Sequence, residues 1–95
     1  MNEGVNFRDI RKFELYSTSL KTVTIKRTFV DWNREIVEFQ TCDGSLIEIG
    51  ILGELSYLPK LVEDHLYFYN VPGDEIQQIV NRFEELVHYP LCEVV

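Results

Sequence analysis

Apolar and polar residues alternate along three runs in the middle of the chain, and a period of two marks strands with one buried face. Lys21–Val30, Glu35–Thr41 and Ser45–Leu52 carry the pattern, the first run being rich in Thr and Val. Turn-forming residues separate them at Asp31-Trp32-Asn33 and Cys42-Asp43-Gly44. Side-chain partition selects the loop lengths. At the second turn, a two-residue Asp-Gly loop would set Phe39 opposite Glu48. A three-residue loop with Gly44 left-handed sets Phe39 opposite Ile47 and Val37 opposite Ile49. At the first turn, a three-residue loop with Asn33 at positive φ pairs Ile25 with Phe39 and Lys26 with Glu38. A four-residue loop there would push Lys26 beside Phe39, so the shorter loop is expected at both turns.

The expected product is a three-stranded antiparallel meander over residues 21–52. One face carries Val23, Ile25, Phe29, Val37, Phe39, Ile47, Ile49 and Ile51; the other carries Lys26, Glu38 and Glu48 in a cross-strand row, with Thr24, Thr28 and Gln40 around it. Arg27 breaks the partition, because this register sets it on the apolar face beside Val37 and diagonal to Glu35.

The flanks are less regular. Phe7, Ile10, Phe13 and Tyr16 recur every three residues after a candidate N-cap at Asn6, while Phe13 and Leu15 also alternate; a helical turn running into a short strand is expected over 6–20. Residues 54–64 contain Pro59 and read as an irregular crossing with one helical turn. Residues 65–71 are aromatic and read as a fourth strand, since Val71 precedes Pro72 and is pushed toward extended geometry. Pro72-Gly73-Asp74-Glu75 then opens a helix over 73–88, with acids in its first turn. Ile76, Ile79, Val80, Phe83, Leu86 and Val87 give that helix a single apolar stripe. His88 closes the helix, Pro90 stops it, and 91–95 is expected as a short terminal strand. The expected fold class is α+β: a small antiparallel sheet, formed by the meander at 21–52 and a strand at 65–71, packed by one amphipathic helix at 73–88. Residues 1–95 form a single domain, with 1–5 expected to be disordered.

Composition sets outer bounds. The chain has 95 residues, 45% of them hydrophobic and 13% aromatic, which supports one packed core and excludes disorder as the default. No apolar run approaches the roughly 18 residues of a membrane span, and Met1-Asn2-Glu3-Gly4 does not open a signal peptide, so cytoplasmic residence is expected. The net charge of −7 is unevenly distributed. Residues 1–34 carry seven Lys or Arg against four Asp or Glu, whereas residues 35–95 carry two against twelve. A surface this acidic argues against direct nucleic-acid binding and favours a partner with a basic surface.

Candidate chemistry is sparse. Cys42, His65, His88 and Cys92 could supply a zinc set, but they lack the two tight ligand pairs of structural sites, and no metal is expected. Cys42 stands beside Asp43 in a turn, where a carboxylate opposes thiolate formation. Glu38 and Glu48, neighbours on adjacent strands, could run acid–base chemistry, although an open sheet face with Lys26 in the row makes a solvated charge ladder the simpler reading. Arg27 is the candidate anchor for an anionic small ligand. No glycine-rich phosphate loop occurs, and no cofactor is expected.

The aromatic residues are in surplus. Tyr67 and Tyr69 would lie on one side of the 65–71 strand with Leu66 and Phe68 on the other, and a single long helix cannot cover both sides. Trp32 falls in a tight turn. The expectation is therefore a non-enzymatic, acidic protein–protein interaction module, an inhibitor or antagonist that occludes a partner's surface, with Trp32, Tyr67, Tyr69, Glu38 and Glu48 as its contact residues. Homodimerisation is one way to cover the rings. The alternative is a nucleotide- or metabolite-binding domain with a pocket between the sheet and residues 54–71, lined by Tyr67, Tyr69 and Arg27. An enzyme built on Cys42 or the Glu38/Glu48 pair ranks last.

Overall fold

A four-stranded antiparallel sheet and two helices make an α+β fold in the computed structural model, which describes residues 12–88. Strands β1 (Phe13–Ser17), β2 (Ile25–Asp31), β3 (Ile36–Thr41) and β4 (Leu46–Gly50) pair in chain order. A 3₁₀ turn at Leu55–Tyr57 leads into α1 (Leu58–Phe68), and α2 follows at Gly73–His88. The expected tail at 1–5, the helical turn before Phe13 and the terminal strand at 91–95 lie outside the described residues.

The β3–β4 hairpin has the register that side-chain partition selects, with Phe39 opposite Ile47, Val37 opposite Ile49 and Gly44 at φ 92°. The β2–β3 hairpin does not. Asp31 pairs with Ile36, so the turn holds the four residues Trp32–Glu35, and Glu35 rather than Asn33 takes positive φ, at 55°. Asp31 Oδ1 accepts the Arg34 N–H at 3.2 Å and holds the turn closed. The register moves by three positions, placing Thr28 opposite Phe39 and Val30 opposite Val37. An odd shift exchanges faces: Thr28 and Val30 are buried, while Arg27 and Phe29 turn outward opposite Gln40 and Glu38. The four-residue loop that would set Lys26 beside Phe39 begins at Asp31; here the loop begins one residue later, Thr28 takes the place opposite Phe39, and a bulge between Ile25 and Arg27 restores Ile25 to the inner face.

The expected strand at 65–71 is also corrected, and the fourth strand is β1. Residues 58–68 are helical because Pro59 sits in the first turn, where its fixed φ starts a helix and its missing N–H costs nothing. Leu58, Val62 and Leu66 then recur every fourth residue and are all buried. The helix ends in a Schellman arrangement. Asn70 takes φ 62°, its N–H donates to the Tyr67 carbonyl at 3.0 Å, and the Val71 N–H donates to the Leu66 carbonyl at 3.1 Å. This reversal turns Val71 into the core ahead of Pro72 and leaves residues 67–69 at the rim.

The inner face of the sheet is thus covered by two helices rather than one. Ile25, Val30, Val37, Phe39, Ile47 and Ile49 form a single core with Leu58, Val62 and Leu66 of α1 and Ile76, Ile79, Val80, Phe83 and Leu86 of α2. One polar contact fixes the start of α2 against the sheet. Glu75, in the helix's first turn, is buried, and its carboxylate accepts the N–H groups of Thr24, at 3.0 Å, and Ile25, also at 3.0 Å.

Two substitutions test this packing by urea or thermal unfolding. Glu75→Ala strands two backbone donors at the entry to β2 and should lower stability by about 1–3 kcal/mol, with Glu75→Gln recovering part of the loss through its remaining acceptor. Thr28 Oγ1 is buried without a hydrogen-bond partner among the described residues. Thr28→Val should therefore raise stability by about 1 kcal/mol, whereas an outward-facing Thr28 would leave it unchanged.

Candidate interaction surface

The outward face of the sheet carries a network of ion pairs. Lys12 Nζ lies 2.6 Å from Glu38 Oε1, and Gln40 Nε2 donates to Glu38 Oε2 at 3.1 Å. Arg34 Nη2 donates to Glu48 Oε2 at 3.2 Å. Arg27 meets Glu14 in a two-pronged contact, Nε at 3.1 Å and Nη2 at 2.8 Å. Between them the Phe29 ring has Lys12 Nζ 4.6 Å and Arg27 Cζ 4.9 Å from its centroid, so each cation is shared by a ring and a carboxylate. The Lys12 hydrogen bond holds the Glu38 carboxyl below the usual range against the opposing effect of burial, and the Arg27 hydrogen bond does the same for Glu14.

Glu38 and Glu48 are cross-strand neighbours, as expected, but their cations are Lys12 and Arg34 rather than Lys26. Arg27 is corrected more fully. It belongs to the outer face, opposite Gln40, rather than to the apolar face beside Val37, and is engaged by Glu14. Trp32 is corrected too: at 9% exposure it belongs to the core, because the four-residue turn folds its ring inward.

The helical layer differs in charge. Residues 12–53 carry six acidic and five basic side chains, whereas residues 54–88 carry seven acidic and only Lys60 and Arg82 as basic ones. Glu75 is turned inward, and Lys60 lies 3.2 Å from Asp64 and 3.9 Å from Glu63. The contact with Asp64 raises the Lys60 pKa. Glu54, Asp74, Glu84 and Glu85 remain on the exposed surface of this layer.

Within this acidic layer the end of α1 exposes three successive rings: Tyr67 at 57%, Phe68 at 78% and Tyr69 at 49%. The Phe68 and Tyr69 rings meet edge to face, their centroids 5.3 Å apart and their planes at 89°. With Asp64 and His65 they line an open, mostly apolar cleft of about 410 Å³. His65 Nδ1 lies 3.0 Å from the Leu61 carbonyl oxygen, which anchors the imidazole at the cleft wall. A second groove, of about 380 Å³, runs between α1 and α2 past Pro59, Glu63, Val80 and Glu84. Phe68 and Asp64 escaped the sequence reading. The spacing of Leu58, Val62 and Leu66 was the available signal, since a helix buried along that line must point Asp64 and Phe68 away from the core.

The remaining candidates do not converge. The turn after β3 is closed by Asp43, which accepts hydrogen bonds from the Thr41 hydroxyl and the Ser45 N–H; the Thr41 contact leads in lowering the Asp43 pKa. Cys42 Sγ lies 3.7 Å from the Leu20 carbonyl oxygen. Cys92 and the His88 side chain fall outside the described residues. Among those described, no group of three or more His, Cys, Asp and Glu side chains is placed to hold a metal ion, and no helix is long and apolar enough to cross a membrane. Comparison with protein-family models, with curated proteins and with solved structures finds no match to the chain.

The Lys12–Glu38 pair has a signed pH dependence. A carboxyl whose pKa is lowered on folding stabilises the native state in full above its unfolded value, here near 4.5, and loses that contribution as the pH falls through the lowered value. Lys12→Met should therefore cost most stability at neutral pH. The difference from wild type in urea midpoint should shrink steadily between about pH 5 and pH 3. A gap that stays constant over that window would show that the pair does not set the ionisation of Glu38.

Proposed function

We propose that this chain is a non-enzymatic protein–protein interaction module that docks through its helical layer onto a partner with a basic surface and acts as an inhibitor or antagonist by occluding that surface. The observation that carries the reading is the cluster of Tyr67, Phe68 and Tyr69, uncovered, in the layer whose acids outnumber its bases. Full burial of one such side chain is worth about 1.5–3 kcal/mol, and aromatic anchors dominate the energetics of docking surfaces. The acidic surround supplies steering and selectivity. It opposes a homodimer through the same face, which would bring two like-charged layers together, and it repels nucleic acid and anionic lipid alike. The outer sheet face is the weaker candidate, because Glu38 and Glu48 are already engaged by Lys12 and Arg34.

Site-specific photocrosslinking tests the proposal. With p-benzoylphenylalanine in place of Phe68, irradiation of a lysate of cells producing the full chain should yield a discrete adduct with a basic protein, and the yield should fall when the lysate is brought to about 1 M salt before irradiation. The same group at Leu46, on the outer sheet face, should yield none. Equal adducts at both positions, or none at Phe68, would contradict the proposal.

A further inference from the structure

The chain contains its own template for what the α1 cleft lacks. On the outer sheet face, one aromatic ring and two carboxylates hold two cations: Lys12 and Arg27 lie against Phe29 while pairing with Glu38 and Glu14. At the end of α1 the same parts recur. Phe68 and Tyr69 form a right-angled corner, and Asp64, one helical turn before Phe68, brings a carboxylate to the same cleft. No cation stands over either ring among the described residues. Lys60 reaches the Asp64 carboxylate at 3.2 Å while its side chain remains 72% exposed, a contact that a better-placed cation can displace.

We infer that this cleft takes a cationic side chain, with arginine preferred, presented by the basic partner. The inference rests on the function proposed above and names the chemistry of its anchor. A guanidinium is favoured over an ammonium because it is planar and weakly hydrated, so it stacks on a ring while donating two parallel hydrogen bonds to a carboxylate. A ring face attracts a cation through its quadrupole, and this attraction strengthens as water is excluded by the partner around the cleft. A neutral donor could still hydrogen-bond Asp64 but would lose the charge and the ring attraction, and an anionic group would meet the Asp64 carboxylate uncompensated. Lys60 acts in this arrangement as an internal competitor that the incoming cation replaces.

The probe is the capped tripeptide acetyl-Gly-Arg-Gly-amide, titrated into the isotope-labelled full chain and followed by NMR. Its citrulline counterpart, which keeps the shape and loses the charge, is the control. Saturable shifts confined to Asp64–Tyr69 are expected, in the millimolar range for so small a ligand, with the citrulline peptide binding roughly tenfold more weakly. Asp64→Asn and Phe68→Ala should each weaken the arginine peptide, while Lys60→Met, which removes the competitor, should tighten it by roughly threefold. All three side chains are exposed, so the variants should keep the wild-type amide spectrum elsewhere. Equal shifts with both peptides, shifts that do not saturate, or a Lys60→Met variant that binds no better would overturn the inference. Crosslinking at Phe68 separates the two levels: an adduct without arginine binding removes only the cationic anchor, and the loss of both removes the docking reading as well.

Discussion

The turn between β2 and β3 decides what every other surface of the molecule presents. Asp31 closes a four-residue loop by accepting the Arg34 N–H, and the chain completes the reversal with Glu35 at φ 55°, a conformation that costs a non-glycine residue about 1 kcal/mol. That register turns Trp32 into the core and sets Thr28 and Val30 against Phe39 and Val37. It also delivers Arg27 and Phe29 to the outer face, where they meet Glu14 and Lys12. A single-position slip in β2 would bury an arginine and expose a valine. The hydrophobic face and the ion-pair face are therefore two results of one loop geometry.

From that geometry follows a division of labour between the layers. The sheet layer is close to charge balance, and Lys12, Arg27 and Arg34 are held there by Glu38, Glu14 and Glu48. The inner face is covered by two helices, fixed at one corner by the Glu75 carboxylate on the Thr24 and Ile25 amides. Among the described residues the charge asymmetry along the sequence becomes an asymmetry across the fold, because the charges of residues 12–53 nearly balance on the sheet and the acidic excess of residues 54–88 falls on the helices. Aromatic rings at the end of α1 stand within that excess. Apolar area that gains from being covered, set in a field that selects for positive charge, is the physical basis of the docking reading.

Much of this was legible in the residues. The β3–β4 register followed from Phe39, Val37, Ile47 and Ile49 with Gly44 in the loop, and α2 followed from its apolar stripe and acidic first turn. The β2–β3 register was not legible, because side-chain partition was weighed for loops that begin at Asp31, whereas Asp31 stays in β2 and the chain turns one residue later. With the loop at 32–35 an unbroken strand would turn Lys26 inward, and no residue there announces the bulge that returns Ile25 to the core instead. The segment 58–71 misled for a different reason. Its aromatic composition has strand propensity, but Pro59 at a helix start and the spacing of Leu58, Val62 and Leu66 override it, since packing against the core outweighs propensity. Of the contact residues, Tyr67 and Tyr69 were recognisable from the surplus of rings. Trp32 was misplaced because burial depended on the turn length, and Phe68 and Asp64 were hidden by reading a helix as a strand.

Hydroxyl-radical footprinting of the free, full-length chain measures most directly whether these rings stand uncovered. Side-chain oxidation should proceed faster at Tyr67, Phe68 and Tyr69 than at Trp32, despite the greater intrinsic reactivity of an indole. Rapid oxidation of Trp32 with protection of residues 67–69 would contradict both the register that buries the one and the helix end that exposes the others.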